Sequence, residues 1–201
     1  HELFLVMTNP HWRRRDAVLS DRPPEAEQRL LTTLGDPVLA RLYAARGVTD
    51  PAELSLRLGD LLPAASLTGL DQAIQTMDEA IDAQQAILII GDFDADGATS
   101  TALMMLALRE MGARVDYLVP DRFRYGYGLT PEIVQLALTE YSPSLIVTVD
   151  NGISSHAGVA LAQQQGIRVL ITDHHLTSKA VPPAEAVVNP NQPDCQFASK
   201  A

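Results

Sequence analysis

Apolar residues in this chain come in two rhythms that change over near residue 86. Up to that point they recur at helical spacing between proline and glycine punctuation. Pro24 to Leu34 reads as one helix closed by Gly35, and Asp36-Pro37 opens a second that runs to Arg46-Gly47. Asp50-Pro51 opens a third, which the pattern ends near Gly59. Leu70, Ile74, Met77 and Ile81 then mark an amphipathic helix. From Ala86 onward, solid runs of Ile, Val and Leu alternate with helical stretches of ten or more residues. The predicted strands are Ala86–Ile90, Val115–Val119, Leu145–Val149, Val169–Thr172 and Ala186–Val188, and the predicted helices are Ala98–Met111, Pro131–Thr139 and Ser155–Gln165. Strands without an in–out alternation are covered on both faces, and strand–helix–strand alternation gives right-handed crossovers. The expected fold is α/β, a parallel sheet of about five strands with helices on both faces, preceded by a small helical N-terminal segment. The expected boundaries are an irregular leader over residues 1–22, the helical segment over 23–69 and the α/β domain over 70–201.

Composition narrows the possibilities. With 201 residues, 46% of them hydrophobic, the chain can bury a full α/β core. Apolar runs of about five residues fall far short of the roughly twenty that a membrane-spanning helix needs. The opening residues lack the basic-then-apolar order of a secretory signal, so a cytoplasmic location is expected. Cys195 stands alone, which excludes an internal disulfide and a cysteine-built zinc site. The net charge of -10 repels nucleic acid unless cations intervene, although all basic residues but Lys179 and Lys200 are arginine, locally clustered at Arg13 to Arg15 and at Arg122 and Arg124.

In open parallel sheets ligands bind beyond the carboxyl ends of the strands. Three polar clusters fall there: Asp92, Asp94 and Asp96 after the first strand, Asp150-Asn151 after the third, and Asp173-His174-His175 after the fourth. Carboxylates crowded in water-poor surroundings repel one another unless cations offset them, so the clusters point to a polynuclear metal site. The three early aspartates, spaced by two, project to one side of an extended turn, although one of them would also serve to cap the next helix. Asp150 alone reads equally well as a turn residue. One imidazole of the adjacent pair can take a metal while the other faces substrate, with Asp173 fixing a ring tautomer. Asp94-Ala95-Asp96-Gly97-Ala98 also resembles the nucleophile loop of haloacid-dehalogenase-type phosphatases, but the downstream strand ends lack that family's pattern. The segment Asp121-Arg122-Phe123-Arg124-Tyr125-Gly126-Tyr127 offers arginines for phosphates and rings for bases, and reads alternatively as a loop whose aromatics pack inward.

Taken in order, GDFDADGATST, VTVDNGISSHAG and ITDHH resemble the first three motifs of the DHH phosphoesterase family. The flanking YLVPDRFRYGYGL and VVNPNQPDCQF resemble its RecJ-type single-strand-specific exonucleases. The resemblance implies 5′ to 3′ digestion of single-stranded DNA in recombination and repair, with two Mn²⁺ or Mg²⁺ ions. It assigns Asp94, Asp96, Asp150, His174 and, less directly, Asp92 to the metals. His175 and Asp173 go to catalysis, His175 at the scissile phosphate. Arg122, Arg124, Tyr125 and Tyr127 are the expected substrate contacts. The expected partners are single-stranded DNA and a single-strand-binding protein or helicase, for a monomer without membrane contact. The family's fourth aspartate motif and C-terminal domain have no counterpart in these 201 residues, so weak metal binding and little nuclease activity are expected of them alone.

Overall fold

The computed structural model describes residues 24–177, 180–193 and 195–198. It divides into two compact units, one ending at Leu61 and the other beginning at Leu62. The leader with Arg13 to Arg15, and Lys179 and Lys200, lie outside the described residues.

The first unit is built on two helices, α1 (Pro24–Leu34) and α2 (Pro37–Ala45). Asp36 starts α2 as its cap, its carboxylate accepting from Val38 N at 2.8 Å and Leu39 N at 3.0 Å. Leu30, Ala40 and Ala44 are buried between the two, flanked by Leu31, Leu34, Tyr43, Val48 and Leu54. The third predicted helix is absent. Pro51–Leu54 and Leu58–Asp60 form separate single 3₁₀ turns. Between them Ser55 is extended, and its hydroxyl donates to Asp60 Oδ2 at 2.5 Å while Arg57 Nε donates to the same oxygen at 2.7 Å. These local side-chain bonds compete with a continuous helical ladder.

In the second unit α3 (Leu70–Asp82) leads into β1 (Ala86–Gly91), α4 (Ala95–Glu110) and β2 (Arg114–Leu118). There follow α5 (Arg122–Tyr125), a single turn, then α6 (Pro131–Glu140), β3 (Leu145–Val149), α7 (His156–Gln164), β4 (Arg168–Thr172) and β5 (Ala186–Val188). The five strands are all parallel, in the order β2-β1-β3-β4-β5. Leu88, Ile90, Ile146 and Ile171 pack on Ile133 and Val134 of α6 and Val159 and Ala162 of α7. On the other face Ile87, Ile89, Val147 and Leu170 meet Ala73 and Ala80 of α3 and Met105 and Leu108 of α4. Helices thus cover both faces, and for that reason the central strands are apolar but for the buried Thr148.

Strand order reverses between β1 and β3, which makes their C-terminal ends the switch point of the sheet. Gly91 pairs with Val149, and Val149 with Thr172, so Asp92, Asp150 and Asp173 leave the sheet side by side.

Candidate metal centre

Each aspartate after β1 sits differently. Asp92 is buried, and its Oδ1 accepts from Phe93 N at 2.7 Å. Asp94 is the N-cap of α4, accepting from Gly97 N at 3.3 Å, and Asp96 lies in the first turn. The helix therefore begins at Ala95, three residues before the predicted start, and Asp96 is on a helical turn instead of an extended one. The cap holds one oxygen of Asp94 and leaves the other available. Gly97 makes this geometry possible, because a Cβ there would lie 2.6 Å from the Asp92 carbonyl oxygen.

Asp150 has a left-handed backbone, φ +62°, which Asp adopts more readily than most residues but still at a cost. Asn151 holds it there. Its buried Nδ2 donates to Ile90 O and Val149 O, both at 3.0 Å, and the Thr148 hydroxyl donates to Asn151 O at 2.7 Å. The ends of β1 and β3 are so tied together behind the carboxylate. Asp150 Oδ1 lies 2.9 Å from His174 Nε2, while Oδ2 is buried without a hydrogen-bond partner. Asp96 Oδ2 is 3.5 Å from the same His174 nitrogen.

Asp173 is fully committed. Its Oδ1 accepts from His174 N at 2.7 Å and His175 N at 2.9 Å and meets His175 Nδ1 at 2.8 Å, and its Oδ2 accepts from Ile153 N at 2.8 Å. It shapes the loop and sets the His175 ring. Two residues beyond the resemblance-based assignment hold the same loop from β5: Asn189 Nδ2 donates to His175 O at 3.0 Å, and Asn191 Nδ2 to His174 O at 2.6 Å. The signal for them was an Asn-Pro-Asn directly after a strand, at the edge where the other clusters gather. Asn151 was legible only as a turn residue.

The arginine–aromatic segment divides. Arg122 donates from one terminal nitrogen to both Asp92 oxygens at 3.0 Å, and its guanidinium lies 3.8 Å from the Phe93 ring centre and 5.3 Å from that of Tyr127. The Tyr127 hydroxyl sits 3.1 Å from His175 Nδ1 and 3.3 Å from Asp150 O. Tyr125 packs against the core, with Arg124 over its ring at 4.9 Å. The structure brings Asp92, Asp94, Asp96, Asp150, Asp173, His174, His175, Arg122 and Tyr127 together, and turns Tyr125 inward.

Two ligand sets share one residue. Asp92, Asp94 and Asp150 form one and Asp150, His174 and His175 the other, the ligand atoms of each within 4.8 Å of one another. Burial raises the Asp150 carboxyl above its usual range, the charges of Asp96 and Asp94 add to that, and His174 partly opposes it. Burial lowers the His175 imidazole, but its hydrogen bond to Asp173 and the charges of Asp173, Asp150 and Asp92 outweigh this and leave it raised. Burial, then the charges of Asp173, Asp92 and Asp150, push the Tyr127 phenol up, so it stays a neutral hydroxyl. An orphaned, buried carboxylate oxygen among like charges fits a cation. Carboxylates with one or two imidazoles suit Mn²⁺ or Mg²⁺.

Residues 86–201 match the model of the DHH family, N-terminal domain. The chain belongs to the DHH family. Over 181 residues, 90% of the chain, it is 54% identical to the single-stranded-DNA-specific exonuclease RecJ of Dickeya dadantii (strain 3937). It is 52% identical over 166 residues to the protein of the same name from Escherichia coli (strain K12). These alignments take in 31% and 29% of the two relatives, so the DHH chain spans about a third of their length. A crystal structure of exonuclease RecJ bound to manganese matches 67% of the chain and 34% of its own, at 38% identity and a TM-score of 0.61. The DHH motif itself is Asp173-His174-His175, the loop anchored from β5.

Proposed function

We propose that this chain carries the phosphodiester-hydrolysing centre of a single-strand-specific DNA exonuclease that works from the 5′ end, in recombination and repair. The observation that carries the reading is Asp150, shared by two ligand sets and holding a buried oxygen free for a cation. Asp94, Asp150 and Asp92 would hold one divalent ion, and Asp150 and His174 a second, with Asp96, 3.5 Å from the His174 ring nitrogen, as its third ligand in place of His175, which is left to the phosphate. Bound there, Mn²⁺ or Mg²⁺ supplies charge to offset the phosphate and acidify a water. The remaining work falls to this chain's own residues. Asp173 receives the Nδ1–H of His175 and keeps that ring turned, and the raised imidazole is a donor to a phosphoryl oxygen. Arg122 neutralises Asp92 and so limits the repulsion a phosphate meets on entry. That both relatives are single-stranded-DNA-specific exonucleases supports the substrate, single-stranded DNA. The reading extends to a monomer in the cytoplasm that takes its strand from a single-strand-binding protein or a helicase.

The test is an assay of end-labelled single strands, duplex, pyrophosphate and mononucleotides with Mn²⁺. It is run on the 201 residues, whose own rate is expected to be low, and on the same residues grafted in place of the matching segment of the E. coli relative. Release of mononucleotides from the 5′ end of single strands, lost in Asp150→Ala, is the expected result. Hydrolysis of pyrophosphate with strands left intact would replace the reading by that of a small-phosphate phosphatase.

A further inference from the structure

Phe93 stands between two aspartates of the metal centre and yet leaves 51% of its surface exposed. Single exposed apolar side chains are common on this protein, so what sets Phe93 apart is the guanidinium held against its ring beside the acidic cluster. The ring does not lack support. One face is covered by the Arg122 guanidinium at 3.8 Å, and that guanidinium is itself fixed on both oxygens of Asp92 and backed by Tyr127. The hydrogen bond from Phe93 N to Asp92 Oδ1 holds the backbone from which the ring projects. The result is a half-exposed aromatic ring with a cation against one face, on the residue next to the helix-capping Asp94.

We propose that the half-exposed ring of Phe93 is a stacking platform for one unpaired nucleobase of the strand being cut, and that it selects single strands. This inference rests on the nuclease reading. An aromatic face takes any base without regard to sequence, and the guanidinium below adds a cation–π contribution. Within a duplex both faces of each interior base are already stacked and only the terminal pair has an open face, so beyond the terminal base a platform of this kind is of use only to a single strand. Arg122, expected from the sequence to hold a phosphate, acts instead as a positioning residue that fixes the ring.

The experiment is binding of 3′-labelled oligonucleotides to the 201-residue chain and to its graft into the E. coli relative, each with Mn²⁺, followed by fluorescence anisotropy. One oligonucleotide is intact, and three others each lack the base at one of the first three 5′ positions. Wild type is expected to bind the intact strand about tenfold or more tightly than one of the abasic strands, in keeping with the strength of base–aromatic stacking. Phe93→Leu should abolish that preference and Phe93→Trp should keep it. Phe123→Leu, at a ring 93% exposed on α5, should keep it too. Equal binding of all four strands by wild type, or a preference that survives Phe93→Leu, overturns the proposal while leaving the nuclease reading standing. A Phe93→Trp protein that holds Mn²⁺ by electron paramagnetic resonance but shows no preference overturns it as well. Absence of any Mn²⁺-dependent binding to the four strands, by the graft into the E. coli relative as well as by the 201 residues, fails the nuclease reading and the platform together.

Discussion

At the residue scale Asp150 is held in an unfavourable state. Asp150 combines a left-handed backbone, burial, an unpartnered oxygen and two nearby negative charges. Strain of this kind persists where a site needs it. Asp150→Asn removes the charge and keeps the shape, so without metal it should unfold later than wild type. A buried polar group without partners costs about 1–3 kcal/mol, and about 1 kcal/mol corresponds to roughly 2–4 °C in a chain of this size. A melting curve in EDTA checks the gain, and titration with Mn²⁺ should show the variant's affinity gone. The sign also fixes the pH response of the metal-free protein. A carboxyl raised in the folded state adds stability that is complete below the ordinary carboxylate range and is lost as pH rises through the raised value. Wild type in EDTA should therefore be less stable at neutral pH than Asp150→Asn, with the difference closing in acid. Asp173→Asn should act through another group: with its acceptors reduced, the His175 ring and the backbone that carries His174 lose their hold, and Mn²⁺ affinity should fall about 10–100-fold. Isothermal titration separates this from outright loss. Sequence spacing marked the candidate ligands because each cluster follows a solid apolar strand. It could not reveal that Arg122 pairs with Asp92, thirty residues earlier, since only the fold brings the two together.

At the scale of elements, the strand–helix alternation was legible because covering both sheet faces forces continuous apolar runs, and that signal survives without any tertiary knowledge. Where an element depends on local competition the pattern failed. The segment after Pro51 has a helix start, with Asp50 and Glu53 forming a capping box, yet Ser55, Arg57 and Asp60 bond one another and break it into 3₁₀ turns. The early start of α4 has the opposite cause, since Asp94 takes the cap position and draws three further residues into the helix. That start depends on Gly97 lying beneath the Asp92 backbone. A methyl group there would stand 2.6 Å from Asp92 O and 2.7 Å from its carbonyl carbon, atoms of the main chain that cannot swing aside. Gly97→Ala should consequently displace the Asp92–Asp94 loop from the helix and cost about 1–3 kcal/mol by the usual measure of overpacking. Denaturant unfolding would show the loss. Weaker Mn²⁺ binding in the same variant would show that the loop and the metal set move as one.

For the whole molecule, the net charge of -10 and the convergence of five aspartates at one sheet edge make a cation part of the stability of the α/β unit. Among the described residues no helix is long and apolar enough to cross a membrane. A ligand that binds only the folded state stabilises it by RT ln(1 + [L]/Kd), about 2.7 kcal/mol at a hundredfold excess over Kd. With roughly 2–4 °C per kcal/mol, saturating Mn²⁺ should raise the melting temperature of the chain by about 5–11 °C. General screening of the net charge would also stabilise, but it depends on ionic strength and not on which cation supplies it. NaCl matched in ionic strength should therefore raise the melting temperature by only the screening share, well short of the Mn²⁺ effect, and Asp150→Asn should lose the response specific to Mn²⁺ while keeping the response to NaCl. A rise of equal size with either salt, in wild type and variant alike, would mean that diffuse charge and not the shared carboxylate governs this fold's dependence on cations.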